Sequence, residues 1–336
     1  LTLETPKPMV PIMNVPFLER TLVRLKEAGI TDVILPAGYL PEAITSHFGD
    51  GSALGLNIRY VIEATPLGTA GALKNVAQYI TGPFFVLNGD VLTSLDLRAM
   101  LAFHQKKGGI GTLHLIRVED PSAFGCVVHD ASGKISAFVE KPKREDAPTD
   151  EVNAGTYLLE REILDLIPAG RAVSIERETF PAAIAGPRPL YAYTTDDYWI
   201  DLGKPEAYLG AHRDIFDRLM PMEASDRVGE GSQGVPAGAV VQPVYVGRDV
   251  RVATDAIVGP YTVLGDGCVV ESGAVVRDSL LWNGVTVGAG ATIDWSIIAS
   301  RAHIGEHAVV QRGSVIGHDA VIAPHTTTEE NARIAR

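Results

Sequence analysis

From residue 240 onward an aliphatic residue recurs every six positions. Val240, Val246, Val252, Val258, Leu264, Val270 and Val276 keep this spacing without a break. After an offset the period resumes at Val287 and Ile293, and a five-residue step leads on to Ile298, Ile304, Val310, Ile316 and Ile322. Gly or Ala often follows the aliphatic residue, as at Gly247, Ala253, Gly259, Gly265, Gly288, Gly305, Gly317 and Ala323. A period of six matches neither the 3.6-residue turn of an α-helix nor the two-residue repeat of a strand. It matches a parallel β-helix, in which each hexad is one side of a triangular coil. The aliphatic residue stacks inward on its equivalent one coil away, and the small residue turns the corner. Each buried Val or Ile contributes roughly 1.5–3 kcal/mol, so the stack holds together with little other core. A Gly-rich β-sandwich is the alternative, and so many positions in one register count against it.

The rest of the 336 residues are organised differently, and two domains are expected. Residues 17–29 read as a helix with Leu18, Leu22 and Leu25 on one face and Gly29 as its stop. Strands are predicted over 31–37, 57–62 and 84–87. A short helix starts at Pro41, and another runs from Gly68 to about Tyr79. This alternation predicts an α/β domain with a mostly parallel sheet and right-handed crossovers. From Ile110 to Leu159 the pattern turns β-rich, and residues 204–220 form a closing amphipathic helix. The boundaries are then 1–222 for the α/β domain, 223–238 for a polar Gly-rich linker, and 239–336 for the repeat domain.

Lys and Arg number 29 against 41 Asp and Glu, a net charge of −12. That balance argues against nucleic acid or a membrane surface as a general partner. An anionic small molecule remains possible where lysines and a metal reverse the field locally. Cys126 and Cys268 lie far apart and form no metal pattern, which suits reduced thiols and a cytoplasmic location. No apolar run reaches transmembrane length. His303, His307, His318 and His325 are expected at solvated coil corners, and Trp282 and Trp295 around the break in the repeat.

Two acids each close a short β-rich run: Asp90 after Phe84-Phe85-Val86-Leu87-Asn88-Gly89, and Asp201 after Tyr198-Trp199-Ile200. In an open α/β sheet, ligands bind at the C-terminal ends of strands. Two carboxylates there, with lysines nearby, suit a Mg²⁺-bound phosphate ester.

Six segments carry further information. They are Thr5–Ile12 (with Pro6-Lys7-Pro8), Pro66-Leu67-Gly68-Thr69-Ala70-Gly71, Val86-Leu87-Asn88-Gly89-Asp90, Phe138-Val139-Glu140-Lys141-Pro142, Asn153-Ala154-Gly155-Thr156-Tyr157, and Trp199-Ile200-Asp201-Leu202-Gly203-Lys204-Pro205. In this order, over nearly the whole chain, they resemble the sugar-nucleotide pyrophosphorylases, which join an NTP to a sugar 1-phosphate. The forms of the Gly68 and Trp199 segments, with the trailing hexads, look most like mannose-1-phosphate guanylyltransferases. Glucose-1-phosphate thymidylyl- and uridylyltransferases are near relatives. The resemblance implies a Rossmann-like nucleotidyltransferase domain followed by a left-handed parallel β-helix of hexapeptide repeats. The family opens with a strand and a Gly-rich phosphate loop ahead of the Thr-Pro-Lys-Pro segment. This sequence starts after them, and residues upstream are expected to be clipped from it.

The resemblance also implies roles. Lys7 would contact the nucleotide phosphates. Gly68, Thr69, Ala70 and Gly71 would bring backbone N–H groups to base and ribose at a helix start, with Glu63 helping to read the base. Asp90 and Asp201 would hold Mg²⁺. Glu140 would accept from sugar hydroxyls, Lys141 would bind the sugar phosphate, and Gly125, Asn153 and Gly155 would line the sugar pocket. Read alone, a loop lysine, a turn glycine or a capping aspartate is equally ordinary; the joint order favours function. The expected reaction is GTP plus mannose 1-phosphate giving GDP-mannose and pyrophosphate, in a homo-oligomer assembled through the β-helix. A glucose-1-phosphate thymidylyl- or uridylyltransferase, a silent regulatory subunit that binds sugar nucleotide, and an enzyme with an acyltransferase β-helix are the competing readings.

Overall fold

The computed structural model describes residues 1–63, 65–220 and 235–336. The expected border at 222 and most of the expected linker lie outside these residues. The chain divides into two compact units, one of residues 21–199 and one of residues 1–20 with 200–336.

In the unit of residues 21–199, strands Asp32–Ala37 and Asn57–Ile62 pair in parallel, as the alternation predicts. A second sheet is built around the strand Glu151–Leu159. It runs antiparallel to Phe84–Leu87, to Gly111–Arg117 and to Gly125–His129. Strand Leu190–Thr194 adds in parallel to Gly111–Arg117, and Ile135–Glu140 adds antiparallel to Gly125–His129. The α/β sheet is therefore mixed rather than mostly parallel. The β-rich stretch 110–159 supplies hairpin-type partners where strand–helix alternation would supply crossovers. The core beneath it gathers Leu113, Leu115, Tyr157, Leu159, Ile163 and Phe180.

Helix Phe17–Glu27 buries Leu18, Leu22 and Leu25 and stops at Gly29, whose φ is +89°. A helix over Leu97–Lys107 escapes the periodicity reading, although its ends are marked in sequence. Asp96 caps it by accepting from the amides of Arg98 and Ala99, and Gly108 ends it at φ +68°.

In the other unit the hexads form three parallel sheets, one per side of the coil. Coils are 18 residues long at first, from Val246 to Leu264, then 17, from Leu264 to Leu281. Leu281 fills the gap that interrupts the period after Val276. One side of that coil is a residue shorter, and Leu281 stacks between Leu264 and Ile298. Ser279, Ser296 and Ser314 lie buried at the corresponding corners. Their hydroxyls donate to the carbonyls of Arg277, Asp294 and Gln311, so the interior stays satisfied.

The side that carries Val263, Leu280, Ile297 and Val315 is buried on its outward face as well. The helix Pro205–Phe216 and the first residues of the chain belong to this same unit. The Trp282 indole N–H donates to the Tyr208 hydroxyl at 3.2 Å, and that hydroxyl donates to the carbonyl of Pro11. Trp282 is thus buried against its own chain. His318 is buried too, its ring edge-on to Trp282 and its Nε2 3.1 Å from Thr5 Oγ1. It is not a solvated corner residue, whereas His303, His307 and His325 are exposed.

Candidate active site

The strand Glu151–Leu159 is interrupted where the candidate sugar-pocket residues lie. Opposite Gly111–Arg117 its register shifts between Asn153 and Tyr157. The bulge is possible because Gly155 adopts φ +73°, a conformation that costs other residues energy. It is pinned from several directions. The Asn88 amide donates to Gly155 O at 2.8 Å, the Trp199 indole donates to Ala154 O at 2.9 Å, and the Gly155 amide donates to Asn153 Oδ1 at 3.1 Å. Asn153 Nδ2 donates to the Tyr157 hydroxyl at 2.8 Å. Asn153 and Gly155 are thereby held beside the loop that leads from Phe84–Leu87 to Asp90.

Gly125 and Glu140 face each other across their strand pair. A side chain at 125 would stand 2.6 Å from the Phe138 ring and 2.8 Å from Glu140 Oε2, so the glycine leaves the carboxylate its room. Lys141 follows in the left-handed region at φ +48°, with its amide donating to Phe124 O at 3.0 Å. A non-glycine residue held there stores strain of about 1–3 kcal/mol, a frequent mark of functional positions. Burial raises the Glu140 carboxyl above its ordinary range and Glu176 raises it further, while Lys141 and Arg177 pull it back. The Tyr157 hydroxyl is pushed up chiefly by burial, and the charges of Glu176, Glu140 and Asp90 add to this. The charges of Glu176, Glu140 and Asp90 are thus all felt at the Tyr157 hydroxyl.

The Gly68-Thr69-Ala70-Gly71 segment opens the helix Gly68–Val76. Its amides are not all available to a ligand, as a bare helix start would suggest. Those of Ala70 and Gly71 donate to Val173 O at 2.9 and 3.3 Å. A side chain on Gly68 would stand 2.7 Å from that same oxygen, and one on Gly71 3.0 Å from Arg171 O. Both glycines admit the 171–173 backbone. Glu63 follows the strand Asn57–Ile62, with its amide donating to Ala37 O at 3.1 Å. Its Oε1 is buried and has no hydrogen-bond partner among the described residues.

Lys7 and Asp201 belong to the other unit. Lys7 is exposed on a single 3₁₀ turn, Lys7–Met9, stiffened by Pro6 and Pro8. Asp201 ends the strand Trp199–Asp201, and its Oδ1 accepts the Gly203 amide at 2.6 Å. A side chain at 203 would crowd that oxygen, so the glycine fixes the carboxylate's orientation.

Sequence reading missed Glu176 and Arg177. They sit on a π-helical turn, Ile175–Thr179, a form often found at functional sites. A signal existed. Ser174 caps the turn by accepting from the Arg177 amide at 3.2 Å, and Glu178 Oε1 accepts from the Ser174 amide at 3.4 Å. This is a capping box one residue too long for an α-helix, and the wider turn absorbs the extra residue.

Comparison with known proteins accounts for both parts of the chain. Residues 1–218 match the nucleotidyl transferase family, and residues 240–334 match the GMPPB C-terminal domain. The chain is a sugar-nucleotide pyrophosphorylase of the nucleotidyl transferase family. This nucleotidyltransferase is 44% identical to a mannose-1-phosphate guanylyltransferase of Mycobacterium tuberculosis, over 88% of this chain and 79% of that protein. It is 33% identical to mannose-1-phosphate guanylyltransferase 1 of Arabidopsis thaliana, over 98% and 93% of the two chains. A UTP–glucose-1-phosphate uridylyltransferase of Synechocystis is 32% identical, over 90% of this chain and 84% of that one. Among solved structures, HddC from Yersinia pseudotuberculosis superposes with a TM-score of 0.55 at 30% identity, covering 63% of this chain and 91% of HddC. The nucleotidyltransferase is an enzyme that moves a nucleotidyl group to a sugar 1-phosphate. Among its described residues, no helix is long and apolar enough to cross a membrane.

Proposed function

We propose that the enzyme converts GTP and mannose 1-phosphate to GDP-mannose and pyrophosphate. The observation that carries this reading is Glu63, whose buried Oε1 has no donor among the described residues and which precedes Gly68 by five positions in the chain. Guanine offers two adjacent N–H donors, at N1 and N2, to such an acceptor. Uracil and thymine offer one N–H flanked by carbonyl oxygens, which a carboxylate disfavours. The guanylyltransferase names of several relatives support the same choice.

In this reading a phosphate oxygen of the sugar phosphate attacks the α-phosphorus of GTP in line, and pyrophosphate leaves. The nucleophile is already ionised at neutral pH, so the site needs no general base. Its work is to bring two polyanions together and to stabilise charge on the leaving group. Lys7 serves the nucleotide phosphates and Lys141 the sugar phosphate. Glu140, Asn153, Gly155 and Gly125 form the sugar pocket, and Gly68–Gly71 the nucleotide loop.

Asp90 and Asp201 would hold Mg²⁺. Among the described residues no three or more His, Cys, Asp or Glu side chains cluster as a metal cage. A pair of carboxylates completed by phosphates and water is the usual donor set for this ion. When bound, Mg²⁺ supplies charge neutralisation to the phosphates. The α/β domain is assigned to 1–222 and the β-helix to 239–336. Cys126 and Cys268, both buried free thiols, support a cytoplasmic setting.

Self-association is assigned to the β-helix side whose outward column is Ile257, Val275, Thr292, Val309 and Thr327, free of charge and at least partly exposed. Light scattering should report an oligomer, and Val309→Arg should shift it toward monomer. The reaction itself is tested by pyrophosphate release from a panel of GTP, UTP and dTTP against mannose and glucose 1-phosphates. Preference for UTP or dTTP would overturn the guanine assignment.

A further inference from the structure

We propose that Glu176 is a positioning residue that couples the two substrate subsites: its carboxylate is bonded to Thr69 of the nucleotide loop, and the turn that carries it packs on the strand ending in Glu140 of the sugar pocket. The inference rests on the reading above, in which those two segments hold different substrates.

The geometry begins with Thr69. Its hydroxyl donates to Glu176 Oε2 at 3.1 Å and accepts the Ile175 amide at 2.8 Å. The same Oε2 accepts the Ser174 hydroxyl at 2.8 Å. One carboxylate oxygen therefore joins the nucleotide loop to the π-helical turn. The backbone reinforces the joint, because Val173 O accepts the amides of Ala70 and Gly71. On its other side the turn packs on the strand Ile135–Glu140. The Phe180 ring that follows lies 5.6 Å from Phe138 and 5.0 Å from Tyr157. A displacement of the turn cannot be confined to one subsite.

The charges agree with this placement. Apart from burial, Glu176 is the largest influence that raises Glu140, opposed by Lys141 and Arg177. Two acids held near each other repel until hydroxyl donors of a sugar satisfy them. An α-helical turn would place residue 176 differently relative to Ser174, which gives the π form a reason to exist here.

The test compares wild-type enzyme with Thr69→Val, Glu176→Ala, Glu176→Gln and the Thr69→Val/Glu176→Ala pair, reading KM for GTP and for mannose 1-phosphate separately. Glu176→Ala should raise both KM values by about three- to tenfold, the scale of one charge-assisted hydrogen bond partly open to solvent. Thr69→Val, which also unpairs the Ile175 amide, should raise the GTP value most and the mannose 1-phosphate value in the same direction. The double variant should be no worse for GTP than Glu176→Ala, since both remove the same link. Glu176→Gln keeps an acceptor oxygen, so it should restore the GTP value. It also removes a like charge from Glu140, so the acidic limb of kcat/KM for mannose 1-phosphate should move to lower pH.

Additive effects on GTP, or a mannose 1-phosphate KM that none of the variants moves, would overturn the proposal. If Glu176→Ala does not fold, Glu176→Gln and Thr69→Val decide it through the pH limb and the split between the two KM values. If wild-type enzyme releases no pyrophosphate from any pair, the reaction assignment fails instead. Calorimetric GTP binding to the same variants then decides whether Thr69 and Glu176 act as one unit: a non-additive loss supports the link, and additive losses overturn it.

Discussion

The backbone amide of Asn88 donates to the carbonyl of Gly155 at 2.8 Å, and a side chain on Gly155 would stand 2.8 Å from Asn88 Nδ2. The loop before Asp90 and the bulge in the next strand are therefore one structure, held by a residue at φ +73°. Gly155→Ala should cost about 1–3 kcal/mol of stability, from backbone strain alone. Turnover should fall with it, because Asn88 must move. Urea unfolding and steady-state rates on the same preparation check both.

Gly125→Ala should act on one substrate only. The added methyl meets the Phe138 ring and Glu140 Oε2, so the carboxylate is displaced from its place in the proposed sugar pocket. We expect KM for the sugar phosphate to rise about tenfold, or about 1.4 kcal/mol of binding, with KM for the nucleotide unchanged. Initial-rate kinetics varying each substrate in turn separates the two.

Asp90→Asn keeps the size of the side chain and removes its charge. Turnover should drop on the order of 10²–10³-fold, the scale for losing one electrostatic element of an active site. The Mg²⁺ concentration for half-maximal rate should rise. A near-normal rate with unchanged Mg²⁺ demand would remove Asp90 from the metal site.

His114 makes stability depend on pH. It is fully buried, its Nε2 lies 2.8 Å from Thr195 Oγ1, and its Nδ1 has no partner among the described residues. Burial lowers its pKa from 6.5 to about 4, with Asp197 pulling it up and Arg24 down. Above pH 6.5 both folded and unfolded chains carry it neutral. Between 6.5 and 4 the unfolded chain binds the proton and the fold does not, so stability falls as pH drops. The contribution is about 3 kcal/mol at most, and it is complete below pH 4. In His114→Gln the loss between pH 7 and pH 4, measured by denaturant titration, should be smaller by that amount.

Leu281→Ala should destabilise the repeat unit by about 2–5 kcal/mol. Leu281 is fully buried between Leu264 and Ile298 in a coil with one shortened side. Shorter sides leave less slack for the stack to close over a void. A lowered thermal transition, followed by circular dichroism, reports the effect.

How much of this was legible in sequence depended on whether a signal was periodic or local. The hexads were readable because every inward residue obeys one steric rule, and even the interruption after Val276 conceals only Leu281 in a shortened side. The strands at 32–37, 57–62 and 84–87 followed from apolar runs between turn residues. The antiparallel partners of Glu151–Leu159 did not, because pairing direction is set by tertiary neighbours that no local pattern encodes. The motif glycines were visible, but their reasons were not. Gly68 and Gly71 make room for the 171–173 backbone, and Gly125 makes room for a carboxylate; both are facts about distant chain. Glu176 escaped notice because its capping signal is spaced for a π turn, a geometry that helix rules do not anticipate.

The hydroxyl of Tyr208 receives the Trp282 indole and reaches the carbonyl of Pro11, in the segment that also carries Lys7. The solenoid is therefore a foundation and not an appendage. Drift in its repeats is constrained by whatever the first residues of the chain must do. On the role proposed for Lys7, a lesion at Trp282 should surface as a raised KM for nucleotide.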